Sequence, residues 1–268
     1  MSRVSLAMYD MAEVRAANDA LWSGIAVALR RRGLDDVPDS LDRETSIPDA
    51  MCAPDLLLGQ TCGYPLTHEL AGKVELVATP CYRAPACDGS NYSSCVVVHA
   101  DNPAKDIAGL AGARCAVNGT NSQSGYNALR ALVAPYHSDG RFFGAVEVSG
   151  GHAASLAMVR DGTVDVAAID GVMHAMCERH QPAALDGTRE LTRTEAVPGL
   201  PYVTAGGAPA GTVERLRDAL GEAMADPDLA AARDALLLSG VEVLPLSAYD
   251  PVLEMEAAAE RRGYPVIA

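Results

Sequence analysis

Apolar residues in this chain fall into short continuous runs that alternate with stretches of helical spacing. Val4 to Met8 reads as a strand, and Val14, Ala17, Leu21, Ile25 and Ala28 mark one face of a following helix that Gly33 stops. Asp55 to Gly59 is a short buried strand, Gln60-Thr61-Cys62-Gly63-Tyr64-Pro65 turns into the next helix, and Val74 to Ala78 is a further strand. The same grammar repeats with strands at Cys95 to Val98, Ala113 to Val117, Ala145 to Val148 and Val164 to Ile169. Helices are expected from Ser124 and over His152 to Arg160. Three tail helices follow, around 212–225, 228–238 and 248–262. A βαβ rhythm of this kind predicts an α/β protein with a parallel sheet, whose ligands sit beyond the carboxyl ends of the strands.

Two Pro-rich segments, Thr79-Pro80-Cys81-Tyr82-Arg83-Ala84-Pro85 and Glu195-Ala196-Val197-Pro198-Gly199-Leu200-Pro201, divide the pattern. They predict two crossings between a discontinuous first lobe, residues 1–80 plus 200–268, and an inserted second lobe, residues 81–199. The three tail helices are assigned to the first lobe. Two lobes joined by two crossings make a hinge.

The most informative segment is Ala113-Arg114-Cys115-Ala116-Val117-Asn118-Gly119-Thr120-Asn121-Ser122-Gln123-Ser124-Gly125-Tyr126. An apolar strand there runs into a polar, glycine-bearing turn, and Leu129, Leu132, Val133 and Tyr136 then recur at i, i+3, i+4 and i+7. A helix start with Ser and Asn before it presents unpaired N–H groups, a partial positive charge and hydroxyls to an anion. An ordinary Ser-capped helix would look the same on this segment alone.

Polar residues recur at other strand ends. Tyr9 and Asp10 follow the first strand, Gln60 to Tyr64 the second, and Tyr82 lies at a crossing. Ser149-Gly150-Gly151-His152 opens one helix, and Asp170-Gly171 follows another strand. The chain has 9 Tyr but only 2 Phe and 1 Trp, and four of the tyrosines stand at these turns, where an apolar wall with a hydrogen-bonding tip suits a small polar ligand.

Composition narrows the function. A formal net charge of −14 argues against a nucleic-acid partner, which needs clustered Lys and Arg. Asp, Arg, Gly or Pro interrupts every apolar run well short of the roughly 18 residues that a spanning helix needs, so no membrane insertion is expected. The first ten residues carry no secretory pattern, which places the protein as written in the cytoplasm, or in the periplasm if a leader has been removed. Seven cysteines, an odd number without zinc-type pairing, suit a reducing compartment. His174, Cys177 and His180 on one helix show no fourth metal ligand, Cys81 and Cys87 flank a loop where a disulfide could form, and Cys62 would need His68 or another base to act as a nucleophile. No cofactor fingerprint is present.

The chain resembles the phosphate/phosphonate substrate-binding proteins of ABC transporters, which have the type 2 periplasmic binding protein fold. The likeness is carried by Asn121-Ser122-Gln123-Ser124-Gly125-Tyr126-Asn127-Ala128-Leu129 as an anion loop, Ser149-Gly150-Gly151-His152 as a helix start, and Gly162-Thr163-Val164-Asp165-Val166-Ala167-Ala168-Ile169-Asp170. The resemblance implies two mixed or parallel sheets flanked by helices, with a hinge and a ligand cleft between the lobes. It also implies that Ser122, Gln123, Ser124 and Gly125 grip an oxyanion through side chains and backbone, while Tyr9, Thr61, Tyr64, Tyr82, His152 and Asp170 shape the rest. The implied partners are a small anionic or zwitterionic ligand and an ABC permease. Asp170 has a competing reading as a helix cap. The competing function is a cytoplasmic enzyme on the same scaffold, similar to enzymes of menaquinone or porphyrin biosynthesis, with His152 and Asp170 moving protons.

Overall fold

The computed structural model describes residues 2–268. Along the chain the strands are β1 (Arg3–Ser5), β2 (Leu56–Gln60), β3 (Val74–Tyr82), β4 (Cys87–Asp88), β5 (Asn91–Tyr92), β6 (Ser94–His99), β7 (Arg114–Val117), β8 (Ala145–Val148), β9 (Val166–Asp170), β10 (Thr188–Arg193), β11 (Val197–Pro198), β12 (Tyr202–Ala205) and β13 (Leu238–Glu242). The helices are α1 (Arg15–Arg31), α2 (Ile47–Met51), α3 (Gly63–Thr67), α4 (Ala128–Val133), α5 (His152–Arg160), α6 (Gly171–His180), α7 (Thr212–Ala225), α8 (Ala230–Ala235) and α9 (Asp250–Arg261). Helix α5 and helix α7 have the bounds expected from the sequence. The first strand is shorter than expected, because Ala7–Tyr9 is a turn of 3₁₀ helix.

Contacts divide the chain into two compact units. The first holds Met1–Arg83, Asp88–Ser90 and Pro198–Ala248, and the second holds Ala84–Cys87, Asn91–Val197 and Tyr249–Ala268. The first unit carries a sheet in the order β1-β2-β12-β3-β13. Only β1 and β2 are parallel there, since β12 and β13 run against their neighbours. Helix α1 buries Leu21, Trp22, Ile25 and Leu29 on one face, and Gly33 ends it at φ 76°, a conformation that costs glycine no strain.

The expected crossing at 79–85 is in large part strand. Strand β3 pairs with β12 up to Ala78 and with β13 from Thr79 to Tyr82. Beyond Ala78 it has a partner on one side only, and such one-sided pairing is where a proline like Pro80 is tolerated in a strand.

The sheet of the second unit runs β10-β6-β9-β7-β8. Strand β7 is parallel to β8 and β9, whereas β6 is antiparallel to both β9 and β10. Both sheets are therefore mixed, where the βαβ rhythm alone predicted a parallel one. On one face of this sheet Val96, Val98, Cys115, Val117, Val166 and Ala168 pack with Leu129, Val133, Phe143, Ala259, Tyr264 and Ile267. Burying a side chain such as Leu129 or Val133 stabilises by about 1.5–3 kcal/mol.

That core corrects the placement of the last tail helix. Helices α7 and α8 lie in the first unit, but α9 belongs to the second. Its Val252, Met255 and Ala259 face is buried, and the C-terminal residue closes the packing. The Ala268 carbonyl accepts from Phe142 N (2.7 Å), Phe143 N (2.9 Å) and the Tyr264 hydroxyl (2.9 Å). Position in the chain favoured the first lobe, while the apolar face found its complement on α4.

Candidate functional site

In the second unit, β7 delivers Asn118 and the turn of Gly119 to Ser122 to a helix start built as a π-helical turn over Gln123–Asn127, followed by α4. Ser122 caps the helix, its Oγ accepting from Gly125 N at 3.1 Å, and Asn127 N reaches Ser122 O at 2.9 Å. Wide turns of this kind collect at functional sites because they redirect backbone groups out of the regular ladder. The Ser124 carbonyl accepts from the Ser94 hydroxyl at 2.9 Å, which ties the turn to the start of β6. Gly125 has a packing reason to be glycine: a Cβ there would collide with Asn118 Oδ1 and crowd His152.

Three side chains meet over this turn. Ser124 Oγ lies 2.9 Å from His152 Nε2, and Asn118 Nδ2 donates to the same nitrogen at 3.3 Å. The other ring nitrogen packs against the backbone at Ala168 and Asp170. Removal from water disfavours the imidazolium and lowers the His152 pKa to about 4, with the Ala168 carbonyl opposing the shift, so the ring is neutral at pH 7. His152 opens α5, and Ser149 braces that start through 2.7 Å to Ser155 Oγ, while Gly150 takes φ 88°.

Not every expected ligand group points to this place. The Gln123 side chain is fully buried, its Oε1 accepting from Asn127 Nδ2 at 2.7 Å and its Nε2 reaching Met255 Sδ at 3.3 Å. Asn127 also donates to Val252 O at 2.9 Å. Arg130 donates to Asn127 Oδ1 at 2.7 Å, to Glu256 at 3.0 Å and to Pro265 O at 2.6 Å. Gln123 thus anchors the turn to α9 and the chain end rather than offering its amide to a ligand. Asp170 is the N-cap of α6, its Oδ1 accepting from Val172 N (2.9 Å) and Met173 N (3.0 Å), which is the competing role its sequence position allowed. Asp165 of the third resembling segment binds Arg114 N and its guanidinium at 2.8 Å, fastening the chain ahead of β9 to the start of β7.

The first unit gathers a different set. Tyr9 and Tyr82 meet edge to face with centroids 5.4 Å apart, and the Tyr82 hydroxyl accepts from Gln60 Nε2 at 3.0 Å. Gln60 also donates to Leu200 O at 3.1 Å, and Thr61 N donates to Pro201 O at 3.1 Å. Tyr64 stacks on His68 of its own helix at 3.8 Å, and the His68 Nδ1 is bound to Tyr64 O and Thr67 Oγ1. Gln60, Asn118 and Ser94 were not among the ligand groups expected from the sequence. A polar residue ending the fully buried strand β2 was the signal available for Gln60.

The remaining chemistry is plain. Among the described residues no cluster of three or more His, Cys, Asp or Glu stands close enough to hold a metal ion, and none of the seven cysteines forms a disulfide. The Cys81 thiol donates to Glu242 at 3.5 Å, and burial with that carboxylate pushes its pKa up to about 11, away from thiolate chemistry. No helix among the described residues is long and apolar enough to cross a membrane.

Comparison with known proteins identifies the scaffold. Residues 54–249 match the family model of the ABC transporter, phosphonate, periplasmic substrate-binding protein. No curated protein matches in sequence. Among solved structures, PhnD1 from Prochlorococcus marinus in complex with methylphosphonate is similar, with a TM-score of 0.77 at 16% identity, over 97% of this chain and 98% of that one. A binding protein component of an ABC phosphonate transporter from Pseudomonas aeruginosa gives 0.75 at 15%, over 98% and 88%. XAC2383 from Xanthomonas citri bound to chloride ion gives 0.71 at 17%, over 98% of each chain. These likenesses show the two-lobed periplasmic-binding-protein fold. The family is one of substrate-binding proteins, not of enzymes, and the acid–base alternative for His152 and Asp170 falls with it. It is also a periplasmic family, the second of the two compartments the sequence left open. On the match to nearly three quarters of its length, the chain belongs to the periplasmic substrate-binding proteins of ABC phosphonate transporters.

Proposed function

We propose that the protein binds a small oxyanion-bearing ligand, phosphate- or phosphonate-like, at the turn from Ser122 to Gly125, and passes it to an ABC permease. The observation that carries this reading is the grouping of Ser124 Oγ, His152 Nε2 and Asn118 at the start of the helix that continues into α4. Hydroxyls and the first N–H groups of a helix suit a tetrahedral anion because the helix end adds partial positive charge without a mobile counterion. The neutral imidazole supports binding rather than proton transfer, since it lies far from ionisation at pH 7. On this reading Tyr9, Thr61, Tyr64 and Tyr82 recognise the organic part of the ligand. Asp170 and Gln123 hold the turn and its neighbours in place. Binding is coupled to a change in the arrangement of the two units.

A thermal-shift screen of phosphate, alkylphosphonates, aminoalkylphosphonates, sulfonates and small carboxylates tests the proposal, because a ligand specific for the folded state raises the melting temperature by mass action. A shift confined to one tetrahedral oxyanion class is expected. Shifts with none, or with carboxylates alone, would refute it. Scattering curves that do not change on adding the responsive anion would refute the coupled rearrangement.

A further inference from the structure

Asn118 stands out among the groups over the anion turn, because one of its polar atoms has nothing to bind. Its Nδ2 is directed at His152 Nε2, and its Oδ1 is buried with no hydrogen-bond partner. That oxygen lies against Gly125, where a Cβ would have no room. A buried, unanswered acceptor is costly, and the cost is recovered when a donor arrives.

We propose that Asn118 is the specificity-determining residue of this site, and that its Oδ1 accepts the proton of a singly protonated tetrahedral oxyanion, an X–OH such as a hydrogen phosphonate or hydrogen phosphate ester. The inference rests on the anion-binding reading above and names the protonation state of the ligand taken there. An amide oxygen accomplishes this without a carboxylate's charge, so it does not repel the anion it selects. A tetrahedral anion with no proton to give, such as a sulfonate, sets oxygen against oxygen and leaves Oδ1 unpaired. Hydrogen-bonding sites reject such analogues far more strongly than apolar pockets reject a missing methylene. The titratable groups nearby do not supply the effect. His152 is neutral, the Asp170 carboxylate is bound to the Val172 and Met173 amides at the head of α6, and Glu147 on the adjoining strand β8 is solvent-exposed.

Calorimetric titration of the full chain with methylphosphonate and with methanesulfonate, from roughly pH 6 to roughly pH 9 across the second ionisation of the phosphonate, tests this. The expected result is binding of methylphosphonate that weakens about tenfold per pH unit above that ionisation, with methanesulfonate about tenfold or more weaker at the acid end. Asn118→Ala, checked for an unchanged fold by circular dichroism, should flatten the pH dependence and close the gap between the two probes. The comparison of the two probes on the unaltered protein stands even if that variant does not fold. Equal, pH-independent binding of both probes, or a pH slope retained in Asn118→Ala, would overturn the role of Asn118. Binding of neither probe would instead count against the anion reading itself.

Discussion

The strand end after β7 and the strand end after β2 solve different problems. The first offers hydroxyls, an imidazole and an amide over a helix start, braced from behind by Gln123, Asn127 and Arg130 against α9. The second offers two tyrosine rings and a buried glutamine fixed by the Leu200 carbonyl. One end is suited to charge, the other to shape and apolar surface. The lesson is that a polar turn with exacting geometry needs a buried polar frame, whereas an aromatic wall is held by packing and one or two amides.

The sharpest way to break the contrast is to remove the frame. Arg130 has a nearly buried side chain that joins Asn127, Glu256 and Pro265. Arg130→Met is expected to cost about 3–5 kcal/mol, because removing one partner strands the others, and to lower the melting temperature on the order of 10 °C. Denaturant unfolding measures this, and a loss no larger than that of an exposed ion pair would contradict the frame.

Next in size is the turn itself. Ser124→Ala should weaken binding of methylphosphonate by about 1–3 kcal/mol, since it removes a hydroxyl facing a charged acceptor, and should cost about 0.5–1.5 kcal/mol of stability, since the same hydroxyl lies 2.9 Å from the buried His152 Nε2. At the other strand end Tyr82→Phe keeps the ring against Tyr9 and loses the acceptor of Gln60. A stability cost of about 0.5–1.5 kcal/mol and a smaller effect on affinity are expected, measured on the same instruments.

The last effect is a slope with pH. The His152 pKa in the folded chain lies near 4, below its unfolded value of 6.5, so the folded state binds fewer protons. The His152 contribution to stability should therefore be constant above about pH 6.5 and fall as the pH drops toward about 4. His152→Gln should lessen that decline in a melting series. An unchanged decline would place its cause in other groups.

Much of this was legible in the sequence because it is local. The 3.6 period marked α1, the bounds of α5 and α7 were legible as well, and the run from Val117 to Tyr126 marked a strand turning into a helix start. The distant partners were not legible. Strand β10, Thr188–Arg193, is polar or charged at every position but Leu191, and β12 and β13 are short and find antiparallel partners far along the chain. Helix α9 was misplaced because its apolar face says that it packs, not on what. Gln123 looked like a ligand group by its place in the turn, and only the contact with Met255 and Asn127 reveals a structural amide. The same holds for Asn118, whose meaning depends on His152, 34 residues away.

The most direct test of the central claim, that the turn of the second unit holds the anion, is calorimetric titration of methylphosphonate into the unaltered chain, Ser124→Ala and Tyr82→Phe. The account predicts binding by the unaltered chain, a loss of about tenfold or more in Ser124→Ala, and a lesser loss in Tyr82→Phe. Affinity untouched by Ser124→Ala, with the loss falling on Tyr82→Phe instead, would contradict it.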